Sequence, residues 1–402
     1  MYDEVKGMEQ IEVSVVIPVH NGAEYIGDTM KCILNQTCQN MEVIVIDDGS
    51  VDDTARIIQE LQKEHANLHY YYQEKSNAGV ARNYGMHQAK GRYFLFLDGD
   101  DLFEENLVEA LYQKITADDA DICVCNADQY DTEKETFISR PQYLRKKYLP
   151  QQMPFSSKDI GNAILYFTTS VPWNKMVKRD YIEKQQIVFQ DIERANDQYF
   201  SIMALLLAKR ITIVDKILVH YRIKQKGNLT TEFSKTPLCA FESMVKVRDT
   251  LEDMGLLEQK DIRCAFDNKV LNLMIYSLNI QNTVQGYQML YDTLTQGGLQ
   301  KLGVEVREKE YYFNEMEYKN LCSITRMPYD EFLLMKNREY RDTIAEKNAS
   351  YKEMVKKKDE VIAGLKEKEK ELNAIRKKNW YRKITRLIDW YHKVFKKSKT
   401  QV

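Results

Sequence analysis

Two apolar runs in this chain stop on aspartates, and that placement limits the fold more than any other feature. Val43-Ile44-Val45-Ile46 runs into Asp47-Asp48-Gly49-Ser50, and Tyr93-Phe94-Leu95-Phe96-Leu97 runs into Asp98-Gly99-Asp100-Asp101. Short runs of β-branched and aromatic residues bounded by turn formers read as buried strands. In an open parallel sheet, ligands bind beyond the carboxyl ends of the strands, so both acidic clusters are expected at one crevice. The three aspartates between Asp98 and Asp101 repel one another unless a cation or hydrogen-bond donors compensate. Hard divalent cations such as Mn2+ or Mg2+ suit such oxygen ligands and share coordination with substrate phosphates. Taken alone, Asp-Gly-Asp-Asp also reads as a solvated turn capping a helix over 102–114.

The surrounding pattern supports the sheet. Strands are predicted at Val13–Val19, Val43–Ile46, His69–Gln73, Tyr93–Leu97 and Asp121–Asn126, with helices at Ala23–Leu34, Asp52–Glu64, Gly79–Ala89 and Glu104–Lys114. This alternation implies an α/β fold whose mainly parallel sheet carries helices on both faces. Residues 131–150 are polar and irregular. A second α/β stretch follows, with a helix at Asp197–Ala208 and strands at Ile211–Val214 and Leu218–Ile223. The expected organisation is a catalytic domain over 1–235, a Tyr- and Leu-rich helical module over 236–335, a coiled-coil-like helix over 336–375 and a basic tail over 376–402.

Asn77-Ala78-Gly79-Val80-Ala81-Arg82-Asn83 opens the helix before the Asp-Gly-Asp-Asp strand. Gly79 allows close backbone approach, a helix start offers N–H groups to an anion, and Arg82 would aim a guanidinium at phosphate. Pro18-Val19-His20-Asn21 ends the first strand at the same edge. Neither G-x-G-x-x-G nor G-x-x-x-x-G-K-[ST] occurs, so a dinucleotide fold or a P-loop is unsupported.

These residues in this order resemble the family 2 glycosyltransferases, with the GT-A (Rossmann-like) fold. The matching pieces are VSVVIPVHNGAEYI (13–26), EVIVIDDGSVDDT (42–54), NAGVARNYGMHQAKGRYFLFLDGDD (77–101) and ANDQYF (195–200). The resemblance implies sugar transfer from a nucleotide-diphosphate donor, of the kind that builds bacterial capsule, O-antigen or exopolysaccharide. It places Pro18, His20 and Asp48 at the base, Asn77 and Arg82 toward the diphosphate, and Asp98 and Asp100 in the D-x-D motif. Asp100 would ligate the metal, and Asp98 would serve the ribose or a metal-bound water. Asp197 would be the general base, with Asn196 where many members carry Glu. Leu218-Val219-His220-Tyr221-Arg222, followed by Asn228-Leu229-Thr230, resembles the segment that closes over the diphosphate, with His220 a candidate third metal ligand. A nucleotidyltransferase also carries carboxylates at strand ends, but no basic, Gly-rich triphosphate loop follows the first strand. A catalytically degenerate scaffold is a further alternative.

The 402 residues carry 58 Lys+Arg against 60 Asp+Glu, a near-balance that argues against a globally basic nucleic-acid binder. The balance is an average of two unlike parts. Residues 376–402 hold ten basic side chains and one acidic, Asp389, leaving −11 on residues 1–375. In the tail Trp380, Ile384, Leu387, Ile388, Tyr391 and Phe395 recur at helical spacing, with Trp390 beside them. Such a helix reads as lying in the plane of an anionic membrane surface, against the alternatives of the protein's own acidic body or a nucleic-acid contact. With a set at Ile344, seven of the ten a/d positions to Ile375 are apolar and three are lysine, a coiled-coil pattern that suggests self-association. The longest aliphatic stretch, Ile202–Ala208, is far short of the ~20 residues a membrane span needs. The acidic start Met1-Tyr2-Asp3-Glu4 and seven scattered cysteines lacking CxxC spacing lead us to expect a reduced, cytoplasmic setting on the inner membrane face. A sugar or lipid-linked sugar would be the acceptor there.

Overall fold

A computed structural model describes residues 11–224 and 235–396; Asn228-Leu229-Thr230 and the chain beyond 396 lie outside it. Residues up to Met327 form one compact unit, and Pro328–Val402 a second.

The first unit begins with β1 (Val13–Val19), α1 (Ile26–Leu34), β2 (Met41–Asp48), α2 (Thr54–Gln62), β3 (Leu68–Gln73), α3 (Ala78–Gln88) and β4 (Tyr93–Phe96). The order β3-β2-β1-β4 is parallel throughout, as alternating strand and helix dictate. Strand side chains alternate between faces. Val13, Val15 and Ile17 join Val43, Val45, Tyr93 and Leu95 in a core with Ile26, Met30, Ile33 and Ile58 of α1 and α2. Val16 and Ile46 point the other way, toward α3. There Gly85 is required: a Cβ would stand 2.3 Å from Val16 Cγ1.

Beyond β4 the sheet becomes mixed. β5 (Leu102–Phe103), α4 (Leu107–Ala117), β6 (Ile122–Asp131), β7 (Thr136–Ser139), α5 (Ser157–Ile160), β8 (Lys175–Lys178), α6 (Arg179–Lys184), α7 (Asn196–Leu207) and β9 (Ile211–Ile223) follow. The nine strands run β3-β2-β1-β4-β8-β6-β9-β5, with β7 beside β6. β8 lies antiparallel between β4 and β6, while β6 and β9 are parallel. The two strands expected at 211–214 and 218–223 are one, bent where the β6 register shifts at Cys125–Ala127. The Asp98–Asp101 turn leads into β5, which pairs with Val219 and His220 of β9.

The helical stretch does not stand apart from this sheet. It comprises α8 (Cys239–Asp253), α9 (Lys260–Asn279), α10 (Val284–Thr293), α11 (Leu299–Lys301) and α12 (Glu315–Ile324). α8 packs on α7, and α9 packs on the turn Gly161–Leu165. The break between the two compact units falls at 327/328.

In the second unit, α13 (Tyr329–Lys377) is a single helix and α14 (Asn379–Lys396) follows it. The a/d row of α13 is open to solvent, from Ile344 and Tyr351 to Leu372 and Ile375. Trp380, Leu387, Trp390 and Tyr391 of α14 are exposed as well. Among the described residues no helix is long and apolar enough to cross a membrane.

Candidate active site

The carboxyl ends of β1, β2 and β4 meet at one edge, as the acidic clusters implied. Pro18 is buried in β1 opposite Ile46, whereas His20 is exposed and bonds Asn21 Nδ2 through Nε2 at 3.1 Å. The loop after β1 is pinned to the loop after β2. Asn21 N–H donates to Ser50, Val51 N–H to Asn21 Oδ1, and Gly22 N–H to Thr54.

Asp48 is 2% exposed and accepts from Gln73 Nε2, Ser76 N–H and Lys75 Nζ at 2.7–2.8 Å. Asp47 is buried too, taking Ser50 N–H and the Tyr70 hydroxyl. Both carboxylates thus hold the turns around them in place.

Asn77 corrects one expectation. Its Oδ1 accepts from Gly79 and Val80 N–H, capping α3, and its Nδ2 donates to Asp191 at 2.7 Å. The N–H groups expected to greet an anion are therefore already satisfied. Gly79 serves packing: a Cβ there would lie 2.2 Å from Gln190 carbonyl oxygen.

Arg82 sits at the centre. Its side chain is 7% exposed, with Nη2 donating to Asp98 Oδ1 at 2.6 Å and Nη1 to Asn196 Oδ1 at 3.1 Å. The guanidinium stands 5.3 Å from the Phe189 ring centroid. Its Nε is buried with no hydrogen-bond partner among the described residues. Asn196, where Glu was the alternative, therefore orients this arginine, and Asp197 is the next residue along α7.

Asp197 is half-buried in the first turn of α7, whose cap is Ala195, a residue with no capping side chain. It accepts from Gln198 Nε2 at 3.3 Å. Burial pushes its carboxyl above the ordinary aspartate range, Arg82 and the Gln198 bond oppose this, and Asp98 adds to it. An accessible carboxylate of raised basicity is what proton abstraction needs.

The repulsion among the three aspartates is resolved by dividing them. Asp98 pairs with Arg82. Asp101 is fully buried, accepts from Arg222 N–H at 2.8 Å, and leaves Oδ2 without a partner among the described residues. Burial, then Asp100 and Asp98, pushes its carboxyl well above the usual range. Asp98 and Asp100, both part-exposed, offer hard oxygen donors that fit a divalent cation completing its shell with water and phosphate oxygens. Among the described residues no group of three His, Cys, Asp or Glu side chains is arranged to hold a metal.

His220 is placed elsewhere than expected. Nδ1 bonds Asp128 Oδ1 at 2.6 Å, Nε2 bonds Glu104 Oε1 at 3.0 Å, and Phe137 packs on the ring. Both ring nitrogens are thus engaged by carboxylates of the protein. Arg222, two residues on, is buried over the Tyr25 ring with Nε and Nη2 unpartnered among the described residues. Its Nη1 pairs with exposed Asp28 at 3.6 Å, and the two remaining buried N–H groups suit an anion.

Sequence reasoning missed the cations behind Asp197. Lys175 of β8 is buried, its ammonium bonded to Thr169 and Val171 carbonyls and Asn174 Oδ1, and burial pulls its pKa down to about 7. Lys269 of α9 is drawn down to about 8 by burial, with Asp197 the main opposing influence. A lysine inside the apolar run Lys175-Met176-Val177 was the one available signal; Lys269 gave none.

This arrangement defines a GT-A enzyme: a parallel β3-β2-β1-β4 sheet, a D-x-D turn at its edge and an aspartate at a helix start facing it. Residues 14–185 match the family described as glycosyl transferase family 2. Glycosyltransferase GlyG of Streptococcus pneumoniae is 29% identical over 288 residues, covering 70% of this chain and 91% of that one. Glycosyltransferase GlyA of the same species is 27% identical over 340 residues, 83% of this chain and 45% of that one. Among solved structures, S. aureus TarS 1–349 in complex with UDP-GlcNAc superposes with a TM-score of 0.61 at 19% identity, covering 78% of this chain and 88% of that one. Over residues 14–185 the chain is thus similar to the family 2 glycosyltransferases.

Proposed function

We propose that the protein transfers a sugar, with inversion at the anomeric carbon, from a nucleoside-diphosphate sugar to an acceptor hydroxyl. One observation carries this reading: the Arg82 guanidinium bonds both Asp98 of the D-x-D turn and Asn196, neighbour of Asp197. The charge that would meet a leaving diphosphate is thereby fixed beside the carboxylate that would take the acceptor's proton. Pro18, His20 and Asp48 frame the base; Lys75, the exposed partner of Asp48, is the group a base edge displaces. Arg82 and Arg222 face the diphosphate, in a cradle that Asn77 shapes by capping α3. Asp98 and Asp100 would hold Mn2+ or Mg2+, which supplies Lewis-acid neutralisation of the leaving group. Asp197, opposite, accepts the hydroxyl proton as the oxygen attacks, the base half of an inverting displacement.

On this reading the product is a surface polysaccharide, and the acceptor is a sugar or lipid-linked sugar. A panel of nucleotide sugars incubated with the full chain is expected to show release of one nucleoside diphosphate, abolished by EDTA and restored by Mn2+. Metal-independent release would sink the metal assignment, and no release with any donor would favour a degenerate scaffold.

The second unit supports attachment to a membrane. The exposed aromatic row of α14 and the tail's +9 charge suit an anionic lipid surface, each basic residue near it contributing about 1 kcal/mol. Removing 376–402 should abolish co-sedimentation with phosphatidylglycerol vesicles; unchanged sedimentation would refute it. The open a/d row of α13 pairs with a second copy on this reading, and a monomer at sedimentation equilibrium would count against that.

A further inference from the structure

A second cluster of chemistry-bearing side chains lies where α9 meets the sheet domain. A cleft there is lined by Arg145, Tyr166 and Thr169 on the sheet side and by Lys269, Asn272 and Phe313 on the helical side. Its polar groups are donors in excess of acceptors. The Lys269 ammonium makes no hydrogen bond or ion pair among the described residues. The Thr169 hydroxyl is buried and has no partner there. Arg145 lies flat on Tyr166, 4.3 Å from the ring centroid, and Tyr166 stacks on Phe313 at 4.6 Å, so the guanidinium is held rigidly at the wall.

The neighbouring carboxylates act on these cations through space and form no ion pair with them among the described residues. Glu317 is taken up by Asn272 Nδ2 at 2.7 Å and Asn314 Nδ2 at 3.1 Å. Asp197 influences Lys269 without an ion pair to it, and burial depresses both Lys269 and Arg145 below their ordinary values. Two desolvated cations with no direct ion pair are costly to keep, and an anion entering between them offsets that cost. The cleft also sits on the acceptor side. Gln198, next to Asp197, donates to the carbonyl of Ser170, and Ser170 follows Thr169.

We propose that this cleft is a subsite for an anionic group of the acceptor, a phosphate or a carboxylate, bound by Lys269 and Arg145. The inference rests on the transfer reading above, because it takes Asp197 to mark the acceptor's hydroxyl. The helical stretch thereby gains a role in selectivity, since α9 supplies the cation that favours a charged acceptor over a neutral one. Arg145 gives bidentate hydrogen bonds and Lys269 a point charge, a pairing suited to phosphate oxygens.

The probes are glycerol 3-phosphate and glucuronate, with glycerol and glucose as neutral counterparts, titrated calorimetrically into the full chain saturated with the nucleoside diphosphate it binds. At least one anion is expected to bind where its neutral counterpart does not, and the one that binds identifies the group. Lys269→Gln and Arg145→Gln should each weaken that binding at least fivefold, and Lys269→Arg should recover most of it. Nucleoside diphosphate affinity should be unchanged in all three, which also reports that they are folded. Equal binding of charged and neutral probes, or anion binding insensitive to both glutamine variants, would overturn the proposal. Loss of anion binding in Arg82→Gln instead would move the anion to the donor site. Failure of every nucleoside diphosphate to bind, with the Lys269 dependence intact in its absence, would refute the transfer reading and leave the subsite standing.

Discussion

Asp197→Asn is expected to lower glycosyl transfer by roughly 10²–10⁴-fold, the range a positioned general base contributes. Donor affinity should hold, because no bond from Asp197 to Arg82 or Asp98 is lost. The pH dependence separates this from a structural effect. Burial raises the Asp197 carboxyl above the usual value, so kcat/KM should fall with acid through a limb lying above ~3.9. Below that limb the carboxyl is protonated and accepts nothing. The stability consequence has the opposite sign to the usual paired carboxylate. A raised folded-state pKa means the protonated form favours folding, and that contribution is lost as pH rises through it. Asp197→Asn should therefore be at least as stable as the parent at neutral pH while nearly inactive. An acidic limb surviving in the asparagine variant would assign proton abstraction to another group.

Arg82→Gln is expected to cost roughly 10²–10³-fold in kcat/KM, comparable to removing one preorganised donor from a developing charge. Glutamine cannot span Asp98 and Asn196, and it leaves Asp98 beside Asp100 and Asp101 without its cation. Because Arg82 lowers the Asp197 pKa, its loss should also move the acidic limb to higher pH. Arg82→Lys separates the two effects. A lysine keeps the charge but reaches only one of the two partners, so the limb should stay near its place while the rate still falls. Equal limb shifts in both variants would show that Arg82 acts on Asp197 through geometry and not through charge.

The donor edge of this molecule is written locally, and that is why it can be read. Val13–Val19 and the run into Asp98-Gly99-Asp100 are consecutive residues whose strand character and acidic exits need no distant partner to be recognised. What the sequence hides depends on pairing across long separations. Leu102 and Phe103 become a strand because β9, over a hundred residues later, supplies their partners. His220 resembles a metal ligand in the sequence, yet Asp128 and Glu104 occupy its two nitrogens, and neither is near it in the chain. Asn77 and Gly79 stand at the expected helix start but act differently there, since capping and helix packing use the same residue types as an anion cradle. The acceptor side is the least legible, because a lysine on a helix looks solvated until the surface it packs against is known. Lys269 gains its meaning only from the turn at 161–165 folding against α9.

The length of α13 has a consequence of its own. Its 49 residues, at 1.5 Å per residue, make a rod about 70 Å long, with the basic helix at one end. On the proposal that two rods pair and their tails bind lipid, the pairing has two unlike outcomes. Side by side in the same direction, both tails reach one patch of lipid, and the second lands at a high effective concentration once the first is down, so weak single contacts multiply into firm attachment. In opposite directions the tails stand about 70 Å apart, many Debye lengths at physiological salt, and each meets the membrane alone. The direction of the rods would thus decide whether attachment behaves as one strong grip or two weak ones.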